Sequence, residues 1–243
     1  MKNNTKLLDV KNLRTAFNVE GKDVTVVNDV SFDLSPGEIV GLVGESGCGK
    51  SVTALSLMGL VPDPPGKILG GEIFLEGKDL LKFSESDMEK VRGKEIGMIF
   101  QEPMTSLNPV LTIGKQITEI LELHQEMNEE EATKEAIELL KLVGLPDPEL
   151  RINDHPHQLS GGQRQRTALG RALLVDSSVI VLDDALASVD NKTAANILSS
   201  IRKEKKRTIV MISHQLSAAA ACVRMDVRLD RDRNIFEVSF VGC

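Results

Sequence analysis

Val43-Gly44-Glu45-Ser46-Gly47-Cys48-Gly49-Lys50-Ser51-Val52 is the stretch that decides the fold. Gly44 to Ser51 satisfies G-x-x-x-x-G-K-[ST] in full, and each residue type has a physical reason. The glycines let backbone N–H groups curl around a phosphate without Cβ clashes. Lys50 supplies a point charge for the β- and γ-phosphates of a nucleotide, and the Ser51 hydroxyl is a hard oxygen ligand suited to Mg²⁺. The context fits as well. An apolar run at 38–43 (EIVGLV) reads as a buried strand ending in the glycine loop. A helix is expected from about Gly49 to Leu60, stopped by the proline cluster at 62–65, and its positive N-terminal end faces the anion.

A second apolar strand, expected over 178–182, runs into Asp183-Asp184. Alone, such a strand end is a weak signal. Joined to a complete phosphate loop it becomes specific: the first carboxylate can hold Mg²⁺ and the second can orient an attacking water.

Outward from these motifs the chain alternates strands and helices. Residues 6–18 and 23–34 alternate apolar and polar side chains around a break at Gly21 and read as an opening antiparallel hairpin. Residues 71–76 and 95–100 read as strands. From about Gln101 to Leu159 the spacing becomes helical, most clearly over 129–143, where Asn128 and Glu131 form a capping-box pattern and Gly144 follows the end. After residue 160 the pattern predicts helix 161–174, helix 191–204, strand 207–212 and helix 215–222. Alternating strands and helices imply a mostly parallel α/β sheet, with 101–159 as an inserted helical subdomain.

Composition excludes several classes. The 243 residues carry a formal net charge of -7, with 41% hydrophobic and 27% charged residues. That acidity argues against general nucleic-acid binding, because nothing offsets repulsion from the phosphate chains. No run approaches the ~18 apolar residues of a membrane helix, and the N-terminus lacks a signal-peptide pattern. A cytosolic protein that reaches a membrane only through a partner is expected. Cys48, Cys222 and Cys243 are odd in number and widely spaced, which suggests free thiols. Cys48 lies beside a helix N-terminus that favours a thiolate; the alternative is a buried, inert side chain. With no Trp or Tyr and only seven Phe, stacking on a nucleobase falls to Phe, or to His as a poorer substitute.

Leu159-Ser160-Gly161-Gly162-Gln163 follows Ser51 with 107 residues between, shortly before the acidic strand. Two glycines and a serine open a helix there, so N–H groups and the positive helix end face outward. This pentapeptide in this place looks like the signature of ABC transporter nucleotide-binding domains, and the chain resembles that family over nearly its whole length. The resemblance implies one domain, 1–243: a P-loop NTPase core with a β subdomain (1–100 and 160–243) and the helical subdomain 101–159. It implies ATP and Mg²⁺ as cofactors and hydrolysis of ATP to ADP and phosphate, coupled to solute transport. It implies a second ABC ATPase subunit bound head to tail, as a homo- or heterodimer, with Ser160, Gly161, Gly162 and Gln163 meeting the nucleotide held by that subunit. Transmembrane permease subunits are the further partners, on the cytoplasmic side of the cell membrane.

Other positions match the family residue by residue. Gln101 matches the glutamine that senses Mg²⁺ and water, Ala187-Ser188-Val189-Asp190 the D-loop, and His214 the switch histidine. Phe17 is the candidate for the adenine-stacking aromatic; its alternative is a core position in the first sheet. A narrower likeness lies in VGESGCGKSVTALSLMGLVP (43–62), RGKEIGMIFQEPMTSLNPVLTIGKQI (92–117) and HPHQLSGGQRQR (155–166), which look like ATPase subunits of oligopeptide, dipeptide and nickel importers. LDDALASVDNKT (182–193) and ISHQLSAAAACV (212–223) are closer to exporter-type domains, and the C-terminal extension usual in the peptide-importer subunits is absent.

One position departs from the family. The residue after the strand-end Asp is usually Glu; here it is Asp184, shorter by one methylene. Its carboxylate retreats by about 1.5 Å, and ~1 Å of misplacement can cost ~10²-fold in rate. Slow hydrolysis at this chain's own phosphate loop is therefore expected. The alternative is that local shifts compensate.

Overall fold

The computed structural model describes residues 6–45, 47–100, 107–125, 127–174, 177–186, 189–190, 192–197, 199, 207–213, 224–229 and 235–236. The chain divides into two compact units. The first comprises Met1–Met98, Ser177–Asp183 and Lys206–Cys243; the second comprises Ile99–Asp176 and Asp184–Lys205.

The first unit holds two sheets. β1 (Leu8–Val19) and β2 (Lys22–Leu34) form the expected hairpin. Glu20 and Gly21 both take positive φ, 51° and 81°, a pairing that suits a two-residue turn following the right-handed strand twist. β1 also pairs with β4 (Gly66–Leu75), and β4 with β5 (Lys78–Asp79), giving an antiparallel sheet of order β2-β1-β4-β5. β4 begins five residues earlier than its sequence pattern implies, because pairing with β1 continues down to Phe17↔Gly66.

The second sheet has the order β10-β9-β3-β8-β7-β6. Its centre is β3 (Ile39–Gly44), β8 (Thr208–Ser213) and β7 (Val179–Asp183), paired in parallel. All but one of their residues are buried, which is why they read as unbroken apolar runs rather than as alternation. β6 (Ile96–Ile99) closes one edge. β9 (Arg224–Leu229) runs parallel to β3, and β10 (Ile235–Phe236) antiparallel to β9. Neither was expected: RMDVRL mixes charge with apolar residues and carries little strand signal.

Between the sheets lies α1 (Lys50–Leu57), shorter than the expected 49–60. It ends early because the chain turns at Met58-Gly59. The Arg92 guanidinium donates to the carbonyls of Met58 (2.8 Å) and Gly59 (3.0 Å), a tertiary C-cap. Ala54 and Leu57 of α1 join one apolar cluster with Leu8, Leu13 and Ile73 of the first sheet and Leu42, Val181 and Val210 of the second. Each such side chain, fully buried, contributes roughly 1.5–3 kcal/mol. The short helix α2 (Glu85–Val91) went unpredicted, although Ser84 caps it by accepting from the Asp87 N–H.

The second unit is helical. α3 (Ile113–Gln125), α4 (Glu129–Leu142) and α6 (Gly161–Leu174) pack together, with the single turn α5 (Pro148–Arg151) beside them. α4 carries the expected capping box between Asn128 and Glu131. α6 has the expected bounds and packs on α3 and α4. A Cβ at Gly170 would make ordinary contact, 3.4 Å, with the Leu139 side chain of α4. The first N–H groups of α3 are taken up by backbone, Ile113 N–H by Asp154 O (2.9 Å) and Gly114 N–H by Ile152 O (2.8 Å), which ties α3 to the segment leading into α6. Residues 192–197 are helical; the expected helix 215–222 lies outside the described residues. Among the described residues no helix is long and apolar enough to cross a membrane.

Candidate functional site

The phosphate loop leaves β3 at Gly44 and enters α1 at Lys50. Gly49 is its tightest point. It has φ +98°, and a Cβ would lie 2.6 Å from the Val26 carbonyl oxygen of β2. Both facts exclude a side chain, so the first sheet defines the floor of the loop. Lys50 is 7% exposed, and its ammonium is held by the carbonyls of Gly44 (2.8 Å) and Glu45 (2.7 Å). Glu45 itself is exposed. Cys48 is half-buried, packs on the core cluster, and has its Sγ 3.5 Å from the Lys50 ammonium. Val52 also packs against that cluster, which leaves its backbone N–H as its means of meeting a phosphate.

β7 delivers the second component. The Ser51 hydroxyl donates to Asp183 Oδ1 at 3.1 Å, across 132 residues of sequence, and Asp183 is 4% exposed. A hydroxyl and a buried carboxylate side by side at the mouth of a glycine loop form a hard oxygen donor set. Such a set fits Mg²⁺, which takes one or two protein oxygens together with phosphates and water.

Phe17 is half-buried near the end of β1. It pairs with Val24 and Gly66, and a Cβ at Gly66 would lie 2.8 Å from its ring. Two residues before it, beyond a break in the β1–β2 register, the Thr15 hydroxyl is 2.9 Å from the Ser56 hydroxyl of α1. A side chain at Gly66 would collide with the ring, so glycine there leaves room for it.

In the second unit, Ser160 is the N-cap of α6. Its hydroxyl accepts from the Gln163 N–H (3.3 Å), while its own N–H donates to Gln163 Oε1 (2.8 Å). Gly161 is exposed, Gly162 half-buried. Asp184, half-buried, has φ +47°, a left-handed conformation that Asp tolerates better than most L-residues. Its carbonyl accepts from Gln165 Nε2 at 3.4 Å. Asp190 accepts from the Thr193 hydroxyl (2.7 Å) and N–H (3.0 Å), and these hold its carboxyl below the usual range. Ser46, Gln101, Ala187, Ser188 and His214 lie outside the described residues.

Three contacts escaped the sequence reading: the Val26 carbonyl under Gly49, Arg92 on the end of α1, and the reciprocal pair at Ser160 and Gln163. The last was legible, since Ser160-Gly161-Gly162-Gln163 is itself an S-x-x-Q capping-box pattern.

A glycine loop between a buried parallel strand and a helix, closed by a buried Asp from the strand next but one in the sheet, defines a P-loop nucleotide-binding fold. The chain belongs to the ABC transporter family, whose profile matches residues 27–187. It is 47% identical over 219 residues to the oligopeptide transport ATP-binding protein OppD of Bacillus subtilis (strain 168), covering 89% of this chain and 61% of that protein. To the dipeptide transport ATP-binding protein DppD of the same organism it is 43% identical over 218 residues, covering 88% and 65%. The chain thus spans less than two-thirds of the length of either relative. Among solved structures it is similar to the dimeric bacterial ABC transporter cassette MJ0796, with TM-score 0.82, 28% identity, and coverage of 97% of this chain and 100% of that one. A post-hydrolysis dimer of the same cassette bound to ADP and Pi gives TM-score 0.81 at 27% identity, with coverage of 97% and 100%.

Proposed function

We propose that this chain binds and hydrolyses ATP and thereby powers transport of a peptide or related small solute through partner membrane subunits, from the cytoplasmic side of the cell membrane. The observation that carries the reading is the pairing of Ser51 with Asp183 beside the buried Lys50. The peptide-transport names of the relatives support the solute class, and the dimeric cassettes support a two-subunit assembly.

Each residue has a role in that reading. The loop from Gly44 to Val52 presents backbone N–H groups to the phosphates, and Lys50 adds its charge to the β- and γ-phosphate oxygens. Ser51 and Asp183, with Gln101, would hold Mg²⁺. The metal would supply positive charge to offset that of the phosphate oxygens. Asp184 orients that water, His214 contacts the γ-phosphate, and Phe17 stacks on adenine. Ser160, Gly161, Gly162 and Gln163 close over the nucleotide of the second subunit, head to tail. ATP then favours the closed dimer, hydrolysis reopens it, and the cycle is passed to the permease. Asp184 in place of the family's Glu favours slow turnover at this chain's own loop and, with an intact signature, an asymmetric pair with one fast site.

The test is Lys50→Ala in membranes carrying the assembled transporter. Loss of Mg²⁺-dependent phosphate release and of ATP-driven peptide uptake is expected if both sites must turn over. If only this chain's site is slow, the residual rate reports its partner. Unchanged ATP binding by the variant, or recovery of the chain with ribosomes or DNA instead of membranes, overturns the proposal.

A further inference from the structure

Glycines in this chain are kept for different reasons. Gly49 and Gly71 have positive φ, and a Cβ on either would strike backbone atoms, at 2.6 Å in both cases. Those two serve the fold. Gly66, buried at the start of β4, is different. Its φ is not left-handed, so its backbone conformation does not call for glycine. A Cβ there would instead meet two side chains, Phe17 Cε1 at 2.8 Å and Val61 Cγ1 at 2.8 Å.

The backbone around these groups is pinned. Phe17 and Gly66 are cross-strand partners. Asn18 N–H donates to the Pro65 carbonyl (2.8 Å), and Gly66 N–H to the Pro62 carbonyl (2.7 Å). A methyl added at residue 66 would therefore turn the ring or push Val61 before it moved the strand. A ring that only filled the core would also need this room. Phe17 is half-buried, however, and among the described residues it is neither in the apolar cluster that joins the sheets nor packed against it. Val24, opposite it on β2, is 38% exposed. The ring is held at the surface without belonging to the core.

Resting on the stacking role given to Phe17 above, we propose that Gly66 and Val61 are positioning residues for the nucleobase. The ring edge and the Val61 methyl converge over the bare Cα of Gly66, and this slot sets the angle at which the ring meets a base. Neither residue touches the nucleotide; both act through Phe17. The chain that leaves the phosphate loop through α1 ends beneath the ring at Gly66, so one continuous stretch serves the phosphates at its start and the base at its end.

The experiment titrates the full chain with ATP and with inorganic triphosphate, both with Mg²⁺, by calorimetry, and follows thermal unfolding of each variant. Gly66→Ala lowers ATP affinity by roughly 3- to 10-fold, a part of what complete loss of a base–aromatic stack costs, and leaves triphosphate affinity at the reference value. Val61→Ala keeps the glycine but loosens the ring, and it lowers ATP affinity in the same selective way by a smaller factor. In a Phe17→Ala background neither substitution changes ATP affinity further, because both act through the ring. Reference-like ATP affinity in Gly66→Ala overturns the proposal, as does an equal loss for the two ligands or a loss that persists without Phe17. Should Gly66→Ala not fold, Val61→Ala carries the test by the same criteria. If Phe17→Ala itself leaves ATP affinity unchanged, the stacking role fails, and that outcome is visible before either positioning variant is made.

Discussion

Substituting Asp184 by Glu tests both the chemistry and the backbone of the acidic strand end. The substitution adds one methylene and advances the carboxylate by about 1.5 Å. If the present carboxylate stands short of the attacking water, recovering that distance raises turnover by roughly 10- to 100-fold. The structure adds an opposing term. Asp184 sits at φ +47°, where short Asp is favoured and a longer side chain is strained by about 1 kcal/mol. Faster hydrolysis in a slightly less stable protein is therefore expected. The assay is steady-state phosphate release by the reconstituted transporter, with chemical unfolding of the isolated chain in parallel. Asp184→Asn keeps the left-handed tolerance and removes the carboxylate, so it preserves stability and abolishes whatever hydrolysis this site performs. Unchanged or slower turnover in Asp184→Glu, together with full loss in Asp184→Asn, refutes the reasoning: Asp184 would then be a working catalytic group at its present reach.

Two further outcomes follow from the loop and its sheet. Gly49→Ala forces a Cβ to 2.6 Å from the Val26 carbonyl at φ +98°, whereas Gly47→Ala meets open space at φ +82°. Gly49→Ala should lose ATP binding and about 2 kcal/mol or more of stability, and Gly47→Ala about 1 kcal/mol, both read by calorimetry. Phe17→Ala removes a ring expected to stack on adenine, a contact worth about 1–3 kcal/mol. ATP affinity measured by fluorescence titration should fall by roughly 5- to 150-fold while inorganic triphosphate binds as before; equal loss for both ligands would assign Phe17 to the fold.

Much of this protein was readable one segment at a time. The glycine loop and its flanking strand and helix, the capping box at Asn128, the bounds of α6 and the buried runs of β3, β7 and β8 are local signals, encoded in residue type and period. What remained hidden depends on partners distant in sequence or on a backbone angle. β9 and β10 carry weak strand patterns and exist because β3 offers an open edge. Arg92 ends α1 from 33 residues away. Ser51 finds Asp183 through the parallel pairing of β3, β8 and β7, and the Val26 carbonyl reaches Gly49 because the antiparallel sheet packs on α1. The left-handed turn at Asp184 is not announced by its letter. The sequence by itself determined which chemistry is present, since loop, carboxylates and signature are spelled by residue type. Only the tertiary structure decided which groups meet, because contacts across a hundred residues arise from packing whole strands and helices, and no local pattern encodes that.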